Sequence, residues 1–408
     1  MGKKWKTLLI LLVVLLISNI VVSKSASHNS KHDIKSRIKI DKNEIPVGLL
    51  YSKTGSTAIV EQGMLKAAEM AFDEINQAGG INGKKIRYIE ADYSSNPSLA
   101  KKEIKKLIEE DHVVATVGCY SSASRLATLS ILEKNDSLLV YPTYTEGEEL
   151  HPNVIYTGAM PNQQAMEYIP WLIKHCGKKV MLVGSNYVFP ITSNKLAKQL
   201  IDNCGGTVCG EEYVESGNID FENVWKVIDE EKPDFIYCDL IGDSVVSFYQ
   251  QYAERGYRME DCPIASITMD ENTLASIGNS AEGSYSSMNY FSTLNTSASS
   301  NFIKKYRNYT NDNSQITCLT EASYYSCYLL GEALKKVDAT GDTNALINAF
   351  SGLEYDSPQG KIRVDIKNHC TWMYSRFAKV EDGEFKIIYE SDDMIKPEPF
   401  SRISNKNR

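Results

Sequence analysis

The sequence predicts an α/β protein of two lobes, each a parallel sheet covered by helices. Three observations carry this. Apolar strand-like runs alternate with segments of helical period four times before residue 145, and the alternation resumes after residue 160. Successive strands end in turns rich in tyrosine and hydroxyl side chains, with hardly a charge among them. The chain has 408 residues, more than one ordinary domain.

Ile45-Pro-Val-Gly-Leu-Leu-Tyr51 reads as the first strand and ends in the polar turn Ser52-Lys-Thr-Gly-Ser-Thr57. From Glu61 to Gln77, Met64, Ala67, Ala68, Ala71, Phe72 and Ile75 fall at helical spacing, and Gly79-Gly80 ends the helix. Ile86 to Glu90 is a second strand. Asn96 and Pro97 have the chemistry of an N-cap and a first helical residue, opening a helix to about Glu110. Val113 to Gly118 is the third strand. It breaks at Gly118 and continues through Cys119, Tyr120, Ser121 and Ser122 into a helix carrying Leu126, Leu129 and Leu132. Leu138 to Tyr141 is the fourth strand, followed by Pro142-Thr-Tyr-Thr-Glu-Gly147. The second series has strands at 179–183, 207–214, 234–239 and 263–267, with helices near 164–175, 190–203, 221–231 and 244–255 between them. Gly283 to Met288 reads as a strand that crosses back, and 298–309 and 321–337 as helices returning to the first lobe. The tail turns to short strands at 361–364, 373–380 and 385–389, with an Asp382-Gly383 hairpin signal.

In open α/β sheets, ligands bind at the carboxyl ends of the strands. Here those ends offer Tyr120, Ser121 and Ser122, then Tyr141, Thr143, Tyr144 and Glu146, then Ser185, Tyr187 and Phe189. The N–H groups of a helix start suit a carbonyl or carboxylate oxygen, although serines at such turns also serve simply as N-caps. Three hydroxyl- and tyrosine-bearing strand ends suit a small neutral polar molecule.

Hydrophobic content of 42% and charged content of 24% fit a globular protein. The first 25 residues hold Lys3, Lys4, Lys6 and Lys24 and no acid, so without them the net charge goes from −8 to −12. Such an acidic protein is a poor nucleic-acid binder. Those lysines flank an apolar run from Leu8 to Val22, as in a secretory signal. The run is shorter than the ~20 residues of a spanning helix. Residues 1–25 are thus a signal peptide, cleaved after Ser23 or Ser25, or an N-terminal anchor, and 26–43 a polar spacer. Export places the folded part outside the cytoplasm. Nine cysteines without C-x-x-C or metal spacing read as mostly free, buried thiols with at most one or two bridges, Cys204 and Cys209 being near enough to pair. Phosphate-loop, dinucleotide, zinc-protease and nucleophile-elbow motifs are absent, and the six histidines show no ligand spacing, so no cofactor or metal is expected. One enzymatic arrangement has the residues for it: Cys119 as nucleophile with Glu146 as base. Against it stands a packing role for Cys119, with no histidine placed to activate the thiol.

Gly48-Leu-Leu-Tyr-Ser-Lys-Thr-Gly55, Glu74-Ile-Asn-Gln-Ala-Gly-Gly-Ile-Asn-Gly83 and Gly118-Cys-Tyr-Ser-Ser-Ala-Ser-Arg125 resemble the type I solute-binding family for branched-chain amino acids, amides and urea. Tyr141-Pro-Thr-Tyr-Thr-Glu-Gly147, Pro161-Asn-Gln163, Gly184-Ser-Asn-Tyr-Val-Phe-Pro190, Ser357-Pro-Gln-Gly360 and Lys367-Asn-His-Cys-Thr-Trp372 look like its branch of urea-transporter binding proteins and the amide receptor of bacterial amidase operons. The resemblance runs from about residue 45 to Phe400. It implies two Rossmann-like lobes of the periplasmic binding protein type, joined by three crossings around an interlobe ligand cleft. The first lobe would be 44–160 plus 285–355 and the second 161–284 plus 356–400. Ligand contacts would come from Tyr120, Ser121, Ser122, Tyr141 and Thr143 of the first lobe and Tyr187 of the second, and extend to the turns with Ile241, Gly242, Thr268 and Asp270. Tyr120 and Thr143 resemble the amide receptor, and Ser121–Arg125 and Asn368–Trp372 the urea proteins, which leaves both ligands open. The implied role is capture of urea or a short amide for the permease of an ATP-driven importer. The alternative is a receptor that hands its closed state to a membrane sensor.

Overall fold

The computed structural model describes residues 43–215, 217–337 and 342–400. The signal or anchor at 1–25, and the spacer at 26–43 apart from Asn43, lie outside them. Among the described residues, no helix is long and apolar enough to cross a membrane.

The first sheet contains β1 (Glu44–Tyr51), β2 (Lys85–Asp92), β3 (Ala115–Gly118), β4 (Leu139–Tyr141) and β5 (Val154–Tyr156), in the order β2-β1-β3-β4-β5. The pairs β1–β3, β3–β4 and β4–β5 are parallel. Every residue of β3, β4 and β5 is buried, which is why these strands read as continuous apolar runs. The second sheet has β6 (Lys179–Ser185), β7 (Thr207–Val214), β8 (Phe235–Asp239), β9 (Ile264–Ser266) and β10 (Tyr285–Met288). With β14 (Arg376–Glu381) and β15 (Glu384–Glu390), its order is β15-β14-β10-β9-β8-β6-β7. It is parallel from β10 to β7, and β14 and β15 extend it antiparallel. Asp382 and Gly383 both take positive φ between them, as the hairpin signal requires. A small antiparallel sheet holds β11 (Glu354–Ser357), β12 (Gly360–Val364) and β13 (Thr371–Trp372).

Local chemistry sets the helix starts. Asn96 accepts from the amides of Ser98 (2.8 Å) and Leu99 (3.2 Å), with Pro97 following. Ser121 accepts from Ser124 N at 3.1 Å and opens the helix Ser122–Asn135. The single helix expected near 164–175 is two, Pro161–Ala165 and Tyr168–His175. Val154–Tyr156 and the helix Thr343–Phe350 were not foreseen; three residues are too few to show a period.

Two placements depart from the expected division into lobes. Tyr285–Met288 does not open the return to the first lobe; it pairs with β9 and β14 in the second sheet, and the crossing follows it. The β11–β13 sheet lies against the first lobe rather than the second. Cys370 bridges Tyr156 at the free edge of β5, and β11 packs on the helix Cys318–Lys335. That helix packs in turn along Ala58–Gln77, where Tyr324 and Tyr328 each donate to Glu74 at 2.6 Å. All nine cysteines are free thiols, five of them buried.

Candidate functional site

The carboxyl ends of the parallel strands of both sheets open on one cleft of about 770 Å³. From the first lobe it is lined by Ser56, Thr57, Ile59 and Val60 after β1, Ser95 and Pro97 after β2, and Tyr120 and Ser121 after β3. From the second lobe come Tyr187 after β6, Gly217 and Ile219 after β7, Ile241, Gly242 and Asp243 after β8, and Thr268 and Asp270 after β9. Seven of the ten expected residues thus lie on the cleft wall: Tyr120, Ser121, Tyr187, Ile241, Gly242, Thr268 and Asp270.

The other three, Ser122, Tyr141 and Thr143, do not line it. They are buried behind the first-lobe wall and spend their hydroxyls on it. Tyr141 donates to the carbonyl of Tyr120 at 2.8 Å, and Thr143 to that of Cys119 at 3.0 Å. Ser122 Oγ donates to Glu146 Oε2 at 2.5 Å. Glu146 also takes a 3.0 Å bond from Arg125, whose guanidinium reaches Glu149 at 3.1 Å and stands over the Tyr141 ring at 4.9 Å. From the other side, Tyr120 N donates to Tyr93 Oη at 3.2 Å. These groups therefore position the turn. The turn itself needs Gly118: at φ +135°, a Cβ there would meet the carbonyl oxygen of Leu50 at 2.1 Å.

Several cleft hydroxyls are also engaged. Ser121 Oγ donates to Ser124 Oγ at 2.8 Å, and Thr268 Oγ1 to the carbonyl of Leu240 at 3.0 Å. The Ile241 amide donates to Ser185 Oγ at 3.2 Å. Asp270 caps the helix Glu271–Ile277, accepting from the amide and hydroxyl of Thr273, both at 2.9 Å. Burial raises its carboxyl pKa. Burial likewise raises the phenols of Tyr120 and Tyr187, which stay protonated donors at neutral pH. Tyr144 and Phe189 do not line the cleft; they are buried, their rings 5.4 Å apart, and Tyr187 stacks on Phe189 at 6.5 Å.

The Cys119–Glu146 pair does not assemble for catalysis. Cys119 is fully buried and burial pushes its thiol up to about 12, while Glu146 is committed to Arg125 and Ser122. Among the described residues, no group of three His, Cys, Asp or Glu side chains is placed to hold a metal. Among the lining residues missed by the sequence reading are Ile59 and Ile219, 67% and 58% exposed, which enter the cleft from opposite lobes. The polar turn before Thr57 signalled the first of these strand ends; nothing in the sequence marked Ile219.

The periplasmic binding protein domain family matches residues 45–406. The chain is 27% identical over 198 residues to the Leu/Ile/Val-binding protein BraC3 of Rhizobium johnstonii, covering 48% of this chain and 54% of that protein. It is 28% identical over 240 residues to Leu/Ile/Val-binding protein homolog 8 of Brucella abortus, covering 55% and 57%. The match thus spans a little over half the length of these relatives. Among solved structures, it is similar to a solute binding protein of an ABC transporter from Rhodopseudomonas palustris BisB5 in complex with 3,4-dihydroxybenzoic acid, with a TM-score of 0.79, 23% identity, and 87% of this chain and 99% of that one covered. It is also similar to the branched-chain amino acid transporter substrate binding protein LivJ of Streptococcus pneumoniae in complex with isoleucine, with a TM-score of 0.76, 21% identity, and 87% and 100% covered. A two-lobed α/β fold, a cleft at the strand ends and a match over nearly the whole described chain lead to one conclusion: this chain belongs to the type I periplasmic binding protein family, a family of binding proteins rather than enzymes.

Proposed function

We propose that this chain is the extracytoplasmic solute-binding component of an ABC importer, capturing a small uncharged polar solute, urea or a short aliphatic amide, between its lobes. The observation that carries the ligand class is the composition of the cleft wall. Tyrosine and hydroxyl side chains line it, with Asp243 and Asp270 as its acids and no lysine, arginine or histidine among its described lining residues. A wall of this kind pairs with N–H donors and a carbonyl, and offers no cation to an acid. Solute bridging the lobes would stabilise the closed state, which the membrane permease would read. The N-terminal apolar segment, cleaved or retained as an anchor, would hold the protein outside the cytoplasm.

A second reading is supported by Asp270 together with the apolar residues Ile59, Val60 and Ile241 on the same wall. An acid can face an ammonium group and the apolar residues a branched side chain, as a leucine-type amino acid would need. Calorimetric titration with urea, acetamide, propionamide, leucine and benzoate separates the two. Saturable binding of urea or an amide with no heat from leucine supports the first reading. Binding of leucine alone replaces it with the second. Binding of benzoate alone overturns both.

A further inference from the structure

The lobes are expected to be joined by three crossings, but the last described segment makes a further connection. After β15 in the second sheet, Ile395–Pro399 runs back over the crossings and ends on the first lobe. Its main chain is held almost residue by residue. Ile395 N donates to Met373 O at 2.8 Å, and Ile395 O accepts from Gln163 Nε2 at 2.9 Å. Lys396 O accepts from Asn162 Nδ2 at 2.8 Å, and Glu398 N donates to Asn162 Oδ1 at 2.8 Å. Pro397 O accepts from Asn368 Nδ2 at 3.1 Å, and Pro399 O from Glu148 N at 2.9 Å. Pro397 and Pro399 are buried. Asn162 and Gln163 stand on the crossing after β5, and Asn368 and Met373 flank β13 on the crossing back to the second sheet.

The far end of this strap meets the network behind the binding turn. Gly147, at φ +71°, leaves no room for a side chain, since a Cβ there would lie 2.2 Å from Pro399 O. Gly147 N donates to Thr145 Oγ1 at 3.2 Å, and Thr145 Oγ1 to Glu146 Oε2 at 3.3 Å. The same Glu146 holds Ser122 and Arg125. A line of hydrogen bonds, joined through the main chain of Ile395–Pro399 and of Gly147–Glu148, thus runs from the hinge crossings to the first turn of the helix Ser122–Asn135.

We propose that Ile395–Pro399 is a fourth interlobe connection and that Asn162 and Gly147 are positioning residues, holding the turn Tyr120–Ser122 in register with the hinge through the strap. A strap with only a local packing role would leave the turn unaffected when it is released. Coupling of this kind can be carried by a contiguous network of hydrogen bonds and main-chain links, which the contacts above supply.

Hydrogen exchange of the ligand-free protein tests the proposal and does not depend on which solute binds. The variants are Asn162→Leu, which removes both bonds to the strap, and Gly147→Ala, which drives a methyl into Pro399. Each is expected to speed exchange at least ten-fold at the amides of Tyr120, Ser124 and Arg125, with the helix Val188–Asn203 unchanged. Asn162→Asp keeps the acceptor for Glu398 N and should fall between wild type and Asn162→Leu. Faster exchange confined to 161–165 and 395–399, with the turn amides at wild-type rates, overturns the proposal. If either main variant fails to fold, Asn368→Asp, which keeps the acceptor for Cys370 N and loses the donor to Pro397 O, is read by the same criterion.

Discussion

The two walls of the cleft are built on opposite plans. The first-lobe wall is fixed by a buried network in which Arg125, Glu146, Glu149, Ser122, Tyr141 and Thr143 all have named partners at hydrogen-bond distance. The second-lobe wall has bonds of its own, Ile241 N to Ser185 Oγ and Thr268 Oγ1 to Leu240 O. Beneath it, however, lies a cluster of buried polar atoms without partners, whereas Thr116 Oγ1 is the one such atom in the strands of the first sheet among the described residues. Asp239, the last residue of β8 and directly below the Leu240–Gly242 turn, is fully buried, and neither carboxylate oxygen makes a hydrogen bond; nor do Tyr237 Oη and Asn194 Oδ1. A satisfied polar network rigidifies, whereas an unsatisfied one costs free energy and leaves the structure sensitive to protonation. The first lobe therefore presents a preformed platform, and the second carries the adjustable side of the site.

The sharpest way to break this contrast is to unpair the platform. Arg125→Ala leaves Glu146 buried without its cation. It should cost about 3–5 kcal/mol of unfolding free energy, read as a lower midpoint in urea or guanidinium with an unchanged slope. A loss below about 1 kcal/mol would show that the network is not what fixes the first-lobe wall.

The second wall should declare itself through pH. Burial raises the Asp239 carboxyl to about 7. Tyr187, Tyr213 and Tyr237 are phenols whose own titration feels its charge. An unfolded aspartate titrates near 3.9, so the folded state binds this proton more tightly. The stability it contributes is full below about pH 4 and is lost as pH rises to about 7. The loss is on the order of 4 kcal/mol. Asp239→Asn should match wild type most closely in acid, gain on it from about pH 4 to about pH 7 and hold that gain to pH 8. Glu271 and Glu321, each pushed up to about 8 by burial, add slope of the same sign in both proteins. Parallel stability curves for the two proteins from pH 4 to 8 would remove Asp239 from the account.

A smaller effect separates positioning from contact. Tyr141→Phe deletes the bond to Tyr120 O and should cost about 1 kcal/mol of stability, weakening solute binding only through the turn. Tyr187→Phe should weaken binding and leave unfolding nearly unchanged. Equal effects on both readouts in both variants would erase the distinction between the walls.

The comparison also explains what the sequence could reveal. Strand ends were legible because β3, β4, β6 and β8 are fully or almost fully buried and break into polar turns, so the cleft could be located from Tyr120, Tyr187 and Ile241. Depth was not legible. Tyr141 closes a strand and Thr143 follows it, at a strand end like that of Tyr120, but their hydroxyls meet the carbonyls of Tyr120 and Cys119 in the neighbouring turn before reaching the cleft. The lobe assignment of Tyr285–Met288 depended on which sheet supplied a partner, and one strand's pattern does not specify its neighbour. The strap could not be read at all, since Ile395–Pro399 has no period and is held through main-chain atoms.

The mildest prediction concerns the cleft mouth. Ile59 and Ile219 are largely exposed and face the cleft from opposite walls, so neither contributes much to either lobe's own core. Ile59→Ser and Ile219→Ser should each shift unfolding by no more than about 0.5 kcal/mol. Their contribution is reserved for the closed state, where removing both from water would favour closure by burial of apolar area. Small-angle scattering with saturating solute should then show the double variant less compacted than wild type, while the ligand-free profiles coincide. If the double variant compacts fully, closure is held by polar contacts to the solute alone, and the adjustable second wall acts through Tyr187 and Asp270 rather than through its apolar rim.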